Sequence, residues 1–191
     1  MRYWFDTEFI EDGKTIDLIS IGIAAEDGRE YYAVLREFNR VALFSNPWLV
    51  ENVAPSLPIV KVDERLPLSY ANYDEVYTDP AWKRRDEARR EIVAFCDPEQ
   101  YGKPQLWAYY ADYDWVALCQ LFGRMLDLPA GWPMYCRDLK QLADMLGKPR
   151  LPEQGKGEHH ALADARWNLE THSFLIGYGQ AAGFPETMLA G

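Results

Sequence analysis

The chain has 191 residues, 48% hydrophobic and 26% charged, which is enough apolar material for a substantial core. Its net charge of -10 argues against broad electrostatic binding of nucleic acid by a basic surface, but not against a nuclease whose metal ions neutralise phosphate locally. No apolar run reaches bilayer length, MRYWFDTE lacks a leader's apolar region and cleavage site, and Cys96, Cys119 and Cys136 follow no metal-ligand spacing. The expectation is one domain over residues 1–191, cytoplasmic, with reduced thiols and no membrane contact.

In chain order, RYWF reads as a first strand. TIDLISIGIAAEDGREYYAVL reads as two strands around a Glu-Asp-Gly turn, a hairpin signal. NPWLVENVAPSLP is a short helix closed by prolines. YDEVYTDPAWKRRDEARREIVAFC contains a strong helix, with Asp79 as its cap, Pro80 in its first turn, and Ile92, Phe95 and Cys96 at a buried end. KPQLWAYY is a fourth strand, and DYDWVALCQLFGRML a helix that Asp112 can cap. PMYCRD is a short fifth strand, followed by the helix LKQLADMLG. A polar, glycine-bearing loop, LPEQGKGEHH, leads into a last long helix, ALADARWNLETHSFLIGYG. Strands first, then strands alternating with helices, predict an α/β fold with a mixed five-stranded sheet flanked by helices.

Three features carry chemistry. Asp6 and Glu8 stand at i and i+2 on an extended segment, so both carboxylates share one sheet face. Taken alone, a solvated strand end is the better account of such a pair. In AYYADYDWVAL, acids sit where a strand gives way to a helix, the end at which open α/β sheets place their sites. There Asp112 also serves as an ordinary N-cap and Asp114 as a first-turn acid favoured by the helix dipole. In HHALADA, His159 and Asp164 are five positions apart, a rotation of about 140° on a continuous helix. If the helix starts near Ala161, His159 lies on the preceding loop and can swing above Asp164.

The order of these features resembles the DEDDh branch of the DnaQ-like 3'-5' exonucleases, which share a ribonuclease H-like fold. The residues are DTE (Asp6, Glu8), YYADYD (Asp114) and HHALADA (His159, Asp164). The second motif departs from the family in carrying Tyr110 where Asn usually stands four residues before the catalytic Asp. Spacing favours Asp114 over Asp112. Within the family, the short chain and RYWFDTEFIEDGKTIDLISIGI look most like the actinobacterial polyadenylate-specific exoribonuclease AS group.

The resemblance implies a metal-dependent 3'-5' exoribonuclease that releases nucleoside 5'-monophosphates from RNA with a free 3' end, with a possible adenylate preference. It implies two Mg²⁺ or Mn²⁺ ions, hard cations suited to carboxylate oxygens, held by Asp6, Glu8, Asp114 and Asp164. It implies His159 as the general base, with His160 its neighbour if the register slips, and Phe9 as a contact for the terminal base or ribose. It also implies a homodimer. A DNA exonuclease with the same site, and a catalytically silent nucleic-acid-binding module, are the alternatives.

Overall fold

A computed structural model describes residues 1–58, 77–155 and 157–189. Six strands form one mixed sheet: β1 (Arg2–Glu11), β2 (Ile16–Ala25), β3 (Glu30–Leu35), β4 (Trp82–Lys83), β5 (Gln105–Ala108) and β6 (Arg137–Asp138). Their order is β4-β3-β2-β1-β5-β6. The β1–β2 and β2–β3 pairs are antiparallel, and β3–β4, β1–β5 and β5–β6 are parallel. The helices are α1 (Arg40–Ser45), α2 (Pro47–Asn52), α3 (Arg85–Phe95), α4 (Pro98–Tyr101), α5 (Asp112–Phe122), α6 (Leu139–Met145), α7 (Ala161–Ala181) and α8 (Glu186–Leu189). Among the described residues, no helix is long and apolar enough to cross a membrane.

Alternation along β1 sorts the core. Tyr3 and Phe5 face a cluster with Ile92 of α3 and Leu118 of α5, whereas Trp4 faces the opposite side with Leu142 of α6 and Leu175 of α7. A third cluster, with Ile19, Val34 and Trp82, sits under α1 and α2 through Leu43 and Leu49. The period of two therefore puts Asp6 and Glu8 on the α7 side and Thr7 on the α5 side.

The predicted hairpin is present, its turn closed by Gly28 at φ +88°, where a side chain would be strained. Four expectations are corrected. The first strand runs to Glu11 rather than ending at Phe5, because β2 pairs along nearly its whole length, so Asp6 and Glu8 lie within a strand and not at its end. The sheet has six strands, not five. The extra one, β4, is two residues that pair with Val34 and Leu35 and bury Trp82. The helix expected from Asp79 starts at Arg85, where the Arg84 N–H donates to Glu87 at 2.8 Å; Asp79 instead accepts from the Ala81 N–H in a turn. Tyr73–Val76, which opened that stretch, lie outside the described residues. Finally, Asp112 is the first residue of α5 and not its cap, a position held by Ala111.

Candidate active site

The site forms because β1 outruns its neighbour. β5 pairs with β1 only from Arg2 to Trp4, so the outer edge of β1 from Phe5 onward lacks a strand partner. Side chains take up its backbone groups instead. The Thr7 N–H donates to Asp114 Oδ1 at 2.8 Å, and the Phe5 carbonyl accepts from Asn168 Nδ2 at 3.0 Å. Thr7 Oγ1 donates to the same Asp114 oxygen at 2.6 Å, fixing that carboxylate from two directions. Helix α5 thus delivers Asp114 to one face of β1, and α7 delivers Asp164 to the other.

The approach of α7 rests on Gly22, the β2 residue opposite Asp6. A Cβ there would overlap the backbone of Ala161 and Leu162, so only glycine lets the first turn of α7 lie directly on the sheet. Arg166, in the next turn, is held by both oxygens of Glu30 at 2.6 and 2.7 Å. Asp164 is therefore positioned by a packed helix start and not by a loop.

One carboxylate oxygen from each of Asp6, Glu8 and Asp164 lies within 4.8 Å of the others. Glu8, Asp114 and Asp164 are buried, and Asp6 opens partly to the cleft. Burial, followed by the nearby charges of Asp114, Glu8 and Asp164, holds the Asp6 carboxyl well above the usual range. Burial and the charges of Asp164 and Asp114 push Glu8 up to about 8. Asp114 is raised by burial to about 6, with the Thr7 hydrogen bonds pulling the other way. Asp164 is also raised by burial to about 6, opposed by the His159 N–H, which donates to its Oδ2 at 2.9 Å. The side-chain amide of Gln154 donates to the other oxygen of Asp164.

These acids line a cleft of about 350 Å³ with Phe9, Trp48, Tyr109, Gln154, Glu158, His159, Trp167 and Asn168. Among the described residues, five carboxylates and no Lys or Arg line it. Left to themselves, such walls repel a phosphodiester. They provide the hard oxygen donors that a divalent cation takes, so the residues present fit the expected ions.

The sequence-predicted residues come together: Asp6, Glu8, Asp114, Asp164, His159 and Phe9 all line this cleft. His159 sits in the turn before α7 with φ +65°, its ring edge-on to Trp48 at 4.9 Å. His160 turns elsewhere, stacking on Tyr32 at 4.4 Å, so the register favours His159. Phe9 stacks on Tyr113 at 5.8 Å with the rings 11° apart. Sequence reasoning missed Thr7, Trp48, Gln154, Glu158, Trp167 and Asn168. Thr7 and Asn168 carry a usable signal, one lying between the paired acids and the other one helical turn after Asp164. Trp48 carries none, because only the tertiary path of α2 brings it to the cleft mouth, where it is 52% exposed.

Comparison with known proteins places the chain in a family. The family described as the 3'-5' exoribonuclease Rv2179c-like domain matches residues 69–176, a span that includes Asp114, His159 and Asp164. Two curated proteins of Mycobacterium tuberculosis are each 43% identical over 169 residues, covering 88% of this chain and 89% of their own. They are 3'-5' exoribonuclease Rv2179c of strain ATCC 25618 / H37Rv and 3'-5' exoribonuclease MT2234.1 of strain CDC 1551 / Oshkosh. With both motifs of its second half inside the matched span and its length shared almost end to end with these relatives, the chain belongs to the Rv2179c-like 3'-5' exoribonuclease domain family.

Proposed function

We propose that this family member removes nucleotides from the 3' end of RNA by hydrolysis assisted by two divalent ions, Mg²⁺ or Mn²⁺. The observation that carries the reading is a cleft of five carboxylates without a lining Lys or Arg among the described residues, three of the acids with an oxygen within 4.8 Å of the others. Asp6, Glu8, Asp114 and Asp164 would hold these ions. Bound there, the ions neutralise the scissile phosphate and lower the pKa of the attacking water.

The chain's own side chains supply the remaining work. His159, at the cleft wall, accepts the proton of the attacking water, a role an imidazole nitrogen can fill. Its backbone N–H, bonded to Asp164, ties the position of the base to that of the ligand. Thr7 holds Asp114 in place, and Phe9, braced by Tyr113, offers a flat face to the terminal base or ribose. The product is a nucleoside 5'-monophosphate.

In this reading the fold is ribonuclease H-like, the site is of the DEDDh, DnaQ-like type in one domain, and the AS group supplies the expectation of adenylate preference. Homodimerisation and a cytoplasmic setting belong to the same proposal. A time course on 5'-labelled poly(A), poly(U) and matched DNA, with Mg²⁺, Mn²⁺ or chelator, tests it. A ladder shortening from the 3' end, dependent on metal and lost in Asp6→Ala, is expected. Undiminished turnover in chelator refutes the metal role, and faster digestion of the DNA refutes the RNA preference.

A further inference from the structure

Outside the cleft, three tyrosines stand in water on neighbouring segments. Tyr110, Tyr113 and Tyr135 are 62%, 50% and 58% exposed. Lone exposed aromatics are ordinary, but a group of them beside a candidate active site is not. The segments that carry them are tied to each other. The Ala111 N–H donates to Asp138 at 2.8 Å, and Cys136 Sγ lies 3.8 Å from the Ala111 carbonyl. Tyr110 is held at φ +54°, a strained conformation for a residue with a side chain.

Cations accompany the rings. Lys140 Nζ, paired with Asp144, is 5.9 Å from the Tyr110 ring, and the Arg137 guanidinium is 5.7 Å from that of Tyr135 and 5.4 Å from that of Trp107. Among the described residues, no carboxylate pairs with Arg137, in a chain whose net charge is -10. The group is also continuous with the cleft, because Tyr113 stacks on Phe9, which lines it. Flat rings with cations beside two of them, starting where the terminal nucleotide would sit, suit the bases and phosphates of an unpaired strand. A duplex offers no free base faces to stack on them.

We propose that Tyr110, Tyr113 and Tyr135, with Lys140 and Arg137, form the track that holds single-stranded RNA upstream of the 3'-terminal nucleotide. This rests on the exoribonuclease reading and adds the residues that hold the strand beyond its terminal nucleotide. Rings stack on successive bases without regard to sequence, while Arg137 meets the backbone between them.

The test compares a dinucleotide with an octanucleotide, both 5'-fluorescein oligoadenylates, on wild-type protein, on the Tyr110→Ala/Tyr135→Ala double variant and on Arg137→Gln. The double variant should lose about 10-fold or more in kcat/KM on the octanucleotide and less than about twofold on the dinucleotide. Arg137→Gln should weaken octanucleotide binding and flatten its salt dependence. Equal losses on both lengths, or no loss on either, overturn the proposal. A loss accompanied by a change in molar mass by light scattering also overturns it, and makes the patch an interface between copies of this chain. Should the wild type degrade neither substrate, the exoribonuclease reading fails separately. Fluorescence anisotropy with the octanucleotide in Ca²⁺ still decides the track, since the tyrosine variant must bind more weakly than wild type for it to stand.

Discussion

Glu8 offers a direct measure of what the acid cluster does to the metal-free fold. In an unfolded chain its carboxyl titrates near 4.5, and in the folded chain burial and its neighbours raise that to about 8. Between those values the unfolded state releases a proton that the folded state keeps, so stability falls as pH rises through that window. The loss amounts to about 2 kcal/mol at pH 6 and about 4 kcal/mol at pH 8, from about 1.4 kcal/mol per pKa unit. For a chain of this size each kcal/mol moves Tm by about 2–4 °C, so the effect at pH 8 is about 10 °C. Glu8→Gln removes the titration while keeping the shape. In chelator, the Tm of Glu8→Gln minus that of wild type should therefore climb from pH 5 to pH 8 by that amount. Excess Mg²⁺ or Mn²⁺ should close the gap, because the wild-type carboxylate then has a counter-charge. Parallel Tm profiles in chelator would show that Glu8 titrates normally, and the account of the cluster would be wrong.

Three further perturbations test other parts of the site. Gly22→Ala should lower stability by about 1–3 kcal/mol in urea titrations and cut RNA hydrolysis with it, since the added methyl meets the backbone of α7; full activity would mean that the helix start has room. His159→Ala should depress kcat by about 100-fold or more while Mn²⁺ titration by calorimetry still yields binding; an unchanged kcat removes the base role. Thr7→Val should cost about 1–3 kcal/mol by thermal unfolding at pH 7 and Thr7→Ser much less; indistinguishable variants would mean that the Asp114 bond contributes nothing.

The site was more legible in the sequence than the sheet that builds it. Asp6 and Glu8 at i, i+2 can share a face only on a strand, and His159 can reach Asp164 only if α7 begins after it; both conditions hold. The hairpin was legible because Gly28 permits its turn. What stayed hidden depends on partners distant in the chain. β4 is two residues long and exists through pairing with β3, so it leaves no periodicity to read. Asp79-Pro80 imitates a helix start, but Glu87 and Glu37 bond the N–H groups of Arg84 and Arg85 and fix the true one. Gly22 reads as a weak spot in a strand, and only the docking of Ala161 and Leu162 on it shows why glycine stands there. Trp48 is chemically ordinary until the chain path brings it to His159.

The bare margin of β1 past Trp4 has a consequence of its own. An unfinished strand border normally invites another strand, from the same protein or a stranger, to zip onto it. Here Asp114 and Asn168 occupy the vacant N–H and C=O of Thr7 and Phe5. They block β-addition without closing the gap. The space a missing strand would have filled is thereby left open to solvent as a lined recess, and Asp114, which covers the bare edge, is also one of the proposed metal ligands.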